Sequence, residues 1–229
     1  MKKILVFLSI LLFPLFIFAK EYEIEDINLK FNISDDYIIF TRENLDSNTD
    51  LTKLNIDKDY LKEIMDKNKI YADIIKNDIT HEILVIVPGT KIAFNNLIDA
   101  TDTMLNELKE EVVKKTGAET SNVYKAKHNF IVVDYHDEKT GYYIVNYYTV
   151  VNSKGYNFQL QKKSAITEDE KNDLKDFVDS VEIKVLDEYK DNKNTFDFKN
   201  VLYGALIGAA TGLLYYVIAM FIKKKKSSV

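Results

Sequence analysis

HNFIVVDYHDEKTGYYIVNYYTVVNSKGYNFQLQK, residues 128–162, contains three β-rich runs at 129–135, 142–151 and 156–162. Between them lie DEKTG at 137–141 and NSKG at 152–155. Asn, Asp, Ser and Gly tolerate the tight, left-handed backbone that joins neighbouring antiparallel strands, so the three runs read as a meander. Alternation in the middle run gives two sets: Tyr143, Val145, Tyr147, Thr149, Val151 and Tyr142, Ile144, Asn146, Tyr148, Val150. Both are apolar enough for a sheet covered on its two faces. Tyr142, Tyr143, Tyr147, Tyr148 and Tyr156 crowd two adjacent strands and are also a candidate binding face, because tyrosine rings stack on glycans and anchor protein partners.

Working outward, four more runs have strand character: 28–33, 37–41, 70–75 and 81–87. Three segments instead carry helical spacing. Residues 57–67 place Tyr60, Leu61, Ile64 and Met65 on one face behind the N-cap Asp57. Residues 96–116 align Leu97, Thr101, Met104, Leu105, Leu108 and Val112, and stop at Gly117. Residues 168–180 follow a Thr167–Glu170 capping box and present Leu174, Phe177 and Val178, with Val181 next on the same stripe. Strands grouped in this way, with helices between the groups, predict an α+β domain: a mostly antiparallel sheet with helices packed on it.

The two ends differ in kind from this middle. Residues 1–19 open with Lys2 and Lys3, run apolar to Phe18 apart from Pro14, and end at Ala19, which reads as a secretory signal peptide. Residues 201–222 are 22 positions without a formal charge. At about 1.5 Å per residue they reach about 33 Å, enough for a transmembrane helix. Lys223 to Lys226 follow and hold a basic tail, 223–229, on the cytoplasmic side. The expected order is therefore leader 1–19, extracytoplasmic domain 20–186, polar stalk 187–200, membrane helix 201–222 and tail, in a single-pass cell-membrane protein with its bulk outside.

Charge and composition narrow the function. Six of the 31 basic residues lie in the end segments, leaving 25 against 36 acids, or −11 for the exported part. That field disfavours nucleic acid as a partner. The chain has no cysteine, which removes disulfides, Cys-bound metals and a thiol nucleophile. Arg42 is the only arginine among many Lys, Asn and Ile, a bias expected of a low-GC, Gram-positive bacterium.

Three places, ISDDYIIFT at 33–41, YYTVVNSKGYNFQL at 147–160 and DLKDFVDSVEI at 173–183, resemble small bacterial extracytoplasmic domains of the PsbP-like α/β/α sandwich fold. In that family proline often precedes the acids of the first motif and tryptophan follows them; here Ser34 and Tyr37 stand. The resemblance implies the sandwich and a binding or accessory role. It implies no catalytic residue.

Direct searches for chemistry return little. His81-Glu82 lacks the second histidine of HExxH, and GxSxG, SxxK and a Gly-rich phosphate loop are missing, so no catalytic motif is found. Asp46, Asn48 and Asp50 open like a calcium loop, but Leu51 stands where glycine is needed and Asp57 where glutamate belongs. His128, Asp134 and His136 share strand parity, yet the two histidines would sit about 26 Å apart on a straight strand. Neither cofactor nor metal is expected.

The expected role is a membrane-tethered recognition module for an envelope ligand. Its rivals are a scaffold subunit and an envelope hydrolase. The scaffold rests on Gly204, Gly208 and Gly212, whose four-residue spacing makes a groove for self-association or for another membrane helix. Replacing Gly208 by isoleucine should abolish association in a membrane two-hybrid assay, and an unchanged signal would remove the groove as the contact.

Overall fold

A computed structural model describes residues 19–190 apart from 79, 90, 91 and 93. Residues 1–18, the stalk beyond 190, the apolar segment with Gly204, Gly208 and Gly212, and the lysine tail lie outside the described residues. Among the described residues no helix is long and apolar enough to cross a membrane.

The chain begins with β1 (Ala19–Ile24), a 3-10 turn (Glu25–Ile27) and β2 (Leu29–Ser34). Next come β3 (Tyr37–Thr41), α1 (Asp50–Leu54), α2 (Lys58–Lys67), β4 (Ile70–Lys76) and β5 (Glu82–Ile86). A 3-10 turn (Leu97–Asp99) leads to α3 (Asp102–Thr116), and β6 (Thr120–Lys125), β7 (Asn129–Asp137), β8 (Tyr142–Val151) and β9 (Lys154–Lys162) complete the central sheet. Then α4 (Glu168–Ser180), β10 (Glu182–Ile183) and a 3-10 turn (Asp187–Tyr189) end it. Every strand pair is antiparallel: β3-β4-β5-β9-β8-β7-β6 form a seven-stranded sheet, and β1-β2-β10 a three-stranded one.

The α+β architecture agrees with the sequence reading, and the meander is present as β7-β8-β9. Val151 pairs with Lys154, while Asn152 (φ 53°) and Ser153 (φ 57°) take the left-handed backbone of a two-residue hairpin turn. All three helical stretches are present with differences at their edges. Thr101, rather than a residue near Asn96, caps α3 by accepting from the Met104 N–H at 3.3 Å, because Leu97–Asp99 forms its own short turn. Tyr60, assigned to the apolar face of α2, is 41% exposed; Leu61, Ile64 and Met65 are buried. Thr167 and Glu170 form the expected capping box of α4. β1, β6 and α1 were not anticipated.

Three apolar clusters hold the layers together. On one face of the large sheet, Leu174, Phe177 and Val178 of α4 join Leu29, Phe31 and Ile33 of the small sheet over Ile74, Ile83, Val85, Phe158 and Leu160. The other face is split. Leu61, Ile64 and Met65 of α2 lie with Phe40, Ile75, Leu84 and Ile86, whereas Leu105, Leu108 and Val112 of α3 lie with Ile131, Val133, Ile144 and Tyr148. This puts the inner strands β5, β9 and β8 out of reach of water on both faces, each with a near-continuous buried run.

Gly155 shows how close that packing is. A Cβ there would stand 3.0 Å from Tyr148 Cε2 and 3.1 Å from Ile92 Cδ1. Gly155→Ala should lower stability by about 1–3 kcal/mol, read as a shifted denaturant midpoint with unchanged slope.

Candidate functional site

β5 carries two polar residues in succession, His81 just before its start and Glu82 at it, and alternation sends them to opposite faces of the sheet. Each is the centre of a separate polar system.

On the α4 side, His81 is 1% exposed. Its Nε2 lies 3.1 Å from the Tyr37 hydroxyl and its Nδ1 3.2 Å from Thr80 Oγ1. Tyr37 donates to Asp173 Oδ2 at 3.3 Å, and Lys76 Nζ donates to the same oxygen at 2.8 Å while standing 3.7 Å from Asp36. Glu170 lies 3.8 Å from His81 and accepts from Lys162. Burial pushes the His81 pKa down and the Lys76 charge adds to this, against the pull of Asp173 and Glu170, so the ring is neutral at pH 7. Burial, then the Asp173 charge, pushes the Tyr37 phenol far up. Lys76 is raised, chiefly by its hydrogen bond to Asp173.

Above this network opens a cleft of about 460 Å³ between the β2–β3 turn and α4. Asp36, Asp173, Asp176, Asn32, Ser34 and Tyr37 give it a hydrogen-bonding wall. Ser34 is already turned to donate to Asp36. Three carboxylates at the opening and one nearby ammonium suit a ligand rich in donors or carrying positive charge.

On the opposite face, Asp73 and Glu82 are both 0% exposed. Asp73 is paired in register with Leu84 and Glu82 with Ile75, so the acids are diagonal neighbours within side-chain reach. Gln161, opposite Glu82, donates its amide to Glu82 Oε2, and Gln159 donates to Gln161 Oε1 at 3.1 Å. One strand further, Asn146 donates to Asn157 Oδ1 at 2.9 Å. Burial raises the Asp73 pKa well above the ordinary carboxylate range, and the adjoining Glu82 raises it further; burial also raises Glu82, against the hydrogen bonds from Gln161 and Asp73. Burial and the closeness of the two carboxyls thus favour a proton held between them.

The residues singled out from sequence are scattered. Tyr142 and Tyr148 pack toward α3, while Tyr147 and Tyr156 pack toward α4 and the small sheet, so the five tyrosines do not share a face. Tyr143 alone of them is partly exposed, stacked on His136 at 4.3 Å. His128 is buried and its Nε2 accepts from the Ile183 N–H at 3.2 Å, which fastens β10. Asp46 pairs with Lys58 and Asp50 with Lys53, while Asn48 donates to the Ile39 carbonyl. Among the described residues no group of three or more His, Cys, Asp or Glu is placed to hold a metal.

Sequence reading missed Asp73, Gln159 and Gln161 entirely. In FQLQ, polar residues at alternate positions look like a solvent-facing edge, and only the covering of that face makes them unusual.

No family model matches the chain, and no curated protein matches it. A solved structure that it is similar to is the solution structure of cyanobacterial PsbP (CyanoP) from Synechocystis sp. PCC 6803, at 10% identity over 72% of this chain and 92% of that one, with a TM-score of 0.39.

The acid pair sets a pH dependence. Groups whose pKa is raised by folding stabilise fully below the unfolded carboxylate value, near 4, and that contribution is lost as pH rises through the raised folded values. His81 and His128, lowered by burial, act in the other direction, their contribution being lost as pH falls below about 6.5. Subtracting the stability profile of Asp73→Asn/Glu82→Gln from that of the parent isolates the acids. The difference should turn against the parent between pH 5 and 8, by up to about 1.4 kcal/mol per pH unit per proton. A flat difference would mean that the pair does not titrate with folding.

Proposed function

We propose that this chain is a membrane-tethered, extracytoplasmic recognition module whose ligand is an amine-bearing envelope component, read by the cleft between the β2–β3 turn and α4. The observation that carries the reading is the pair of buried His81 and half-buried Tyr37 beneath Asp173. Polar groups withdrawn from water in a small domain cost free energy, and here they fix the geometry of an open, carboxylate-lined cleft. The net charge of −11 expected outside the membrane favours the same ligand through long-range attraction. The leader, the apolar segment 201–222 and the four lysines support the tether and the orientation.

A second groove, about 700 Å³, runs along the small sheet past Glu21, Glu23, Glu25 and Glu182. Its acids are partly paired, Glu23 with Lys30 at 2.8 Å and Glu182 with Lys127 at 3.7 Å, and it is the weaker candidate. The scaffold reading draws on Gly204, Gly208 and Gly212. Exchanging the apolar segment for a leucine-rich helix separates the two, because a recognition module keeps its activity and a scaffold loses it.

The direct test titrates chitosan oligosaccharides, with fully acetylated oligomers as the uncharged control, into the full-length protein in nanodiscs. The cationic oligomer should bind at least about tenfold tighter than the neutral one. Asp36→Asn/Asp173→Asn/Asp176→Asn should remove that preference, and Glu21→Gln/Glu23→Gln/Glu25→Gln should leave it intact. Equal binding of both oligomers, or loss in the second variant and not in the first, overturns the assignment of the cleft.

A further inference from the structure

A sheet edge presents unpaired backbone N–H and C=O groups that another extended chain can join, and proteins cap such edges or load them with charge. Three of the four edges in this fold are treated in that way. On β3 the Ile39 carbonyl accepts from the side-chain amides of Asn44 and Asn48 at 3.0 and 2.9 Å, and the Thr41 N–H donates to Asn44 Oδ1 at 2.9 Å. Beyond the two residues of β10, Ser180 Oγ accepts from the Asn32 N–H at 2.9 Å and donates to the Asn32 carbonyl at 3.0 Å, which closes that side of β2. β1 carries Lys20, Glu21 and Glu23 among its six residues. β6 is the exception. It pairs with β7 on one side only, and its outer backbone groups have no partner among the described residues. TSNVYK holds neither proline nor glycine, and no charge before its last position.

We propose that β6 pairs antiparallel with β6 of a second copy of this chain, across a two-fold axis at Asn122, joining two seven-stranded sheets into one. The sequence is self-complementary about that point. This register sets Ser121 against the second copy's Val123, Thr120 against its Tyr124 and Glu119 against its Lys125, and the two-fold repeats each pair. Glu119 lies just before β6 with its N–H bonded to the Asp134 carbonyl at 3.0 Å, and both it and Lys125 are exposed. Opposite charges thus meet at both ends of the ladder, with none between them. An axis at Ser121 would put Glu119 against Val123, and one at Val123 would put Lys125 against Ser121 and Glu119 against the turn after the strand. An uncharged centre flanked by one acid and one base therefore selects its own copy over a strand of a single charge sign. Thr120 and Asn122, on the α4 side, are exposed, so the small sheet leaves that side of the edge clear. Lys125 also reaches Asp102 of its own copy, an exposed pair worth little. The contact is independent of the cleft.

The test uses the full-length protein in detergent micelles, with Gly208→Ile throughout so that the glycine groove expected in 201–222 does not contribute. The chain has no cysteine, so an introduced one crosslinks only to its own copy. Asn122→Cys, on the axis, brings two Cβ atoms to about 4.5–5.5 Å, near the spacing of a disulfide. Two copies of Thr120→Cys stand about 13 Å apart along the strands, out of reach. Mild oxidation should therefore join Asn122→Cys at least about fivefold faster than Thr120→Cys. Light scattering of the cysteine-free chain should show a concentration-dependent dimer. Lys125→Glu should raise its Kd at least about tenfold, because like charges then meet at both ends. Glu119→Lys/Lys125→Glu should restore the Kd to within about threefold of the parent. Both variants lose the contact with Asp102 equally, so only the second copy separates them. Equal crosslinking of the two cysteines, a chain that stays monomeric up to about 100 μM, or a double variant no tighter than Lys125→Glu would overturn the proposal.

Discussion

A seven-stranded sheet covered on both faces is the constraint on which the rest of this structure depends. Once α4 and the small sheet close one side and α1, α2 and α3 close the other, no inner strand has a wet face, and each side chain on β5, β9 and β8 must be apolar or find its partner inside. The apolar positions fall into line as three clusters. The polar ones cannot be hidden by turning them outward. They collect along the seam between the α2 and α3 clusters, where Asp73, Glu82, Gln161, Gln159 and Asn146 run across four neighbouring strands.

That seam explains why the fold was more legible than the site. Strand and helix types follow from local periodicity, and the hairpin at Asn152 and Ser153 follows from residues that tolerate left-handed backbone. What periodicity lacks is knowledge of cover. Gln159 and Gln161 alternate with Phe158 and Leu160 just as residues of a half-exposed strand would, and Asp73 is a single acid in IYADIIK. Only the covering helices turn these positions from surface into interior, and for Gln159 and Gln161 those helices, α2 and α3, lie more than 40 residues away in the chain. The tyrosines mislead in the opposite sense. Five rings on adjacent strands look like a binding face, but strand pleating divides them, and both faces are covered. The missed elements have local causes too. Five residues in α1 are too few for a helical stripe, and TSNVYK in β6 alternates polar residues because it is an exposed edge.

The dipeptide His81-Glu82 links the two polar systems. Adjacent in sequence, the residues face apart, one into a network that ends at an open cleft and the other into a dry acid pair. Both lean on β4, which supplies Lys76 to one face and Asp73 to the other. A change in the charge of the inner pair therefore acts on the same two strands that position the cleft floor. The sheet is rigid enough to transmit a small shift, because its neighbours are packed without room to absorb it.

The first and last strands of the described residues meet on the small sheet, and this fixes how load would pass through the domain. β1, the first strand described, and β10, nearly the last, flank β2 on its two sides. Beyond β10 the chain is gripped repeatedly: Lys184 donates its N–H to the Asn28 carbonyl, Leu186 donates to Asn152 Oδ1 at 3.0 Å, and Asn96 donates to the Tyr189 carbonyl at 2.7 Å. Asn152 adds a bond to the Lys184 carbonyl at 2.8 Å, and His128 holds Ile183. Two-residue β10 has too few ladder bonds to resist a pull, so these side-chain bonds from three separate loops do what a longer strand would otherwise do. A force applied after residue 190 would reach the β8–β9 hairpin through Asn152 before it reached β2, and through that hairpin the centre of the covered sheet. The asparagines at 96 and 152 thus tie the outgoing chain to the most deeply packed part of the fold, leaving β10 as little more than an edge for the small sheet.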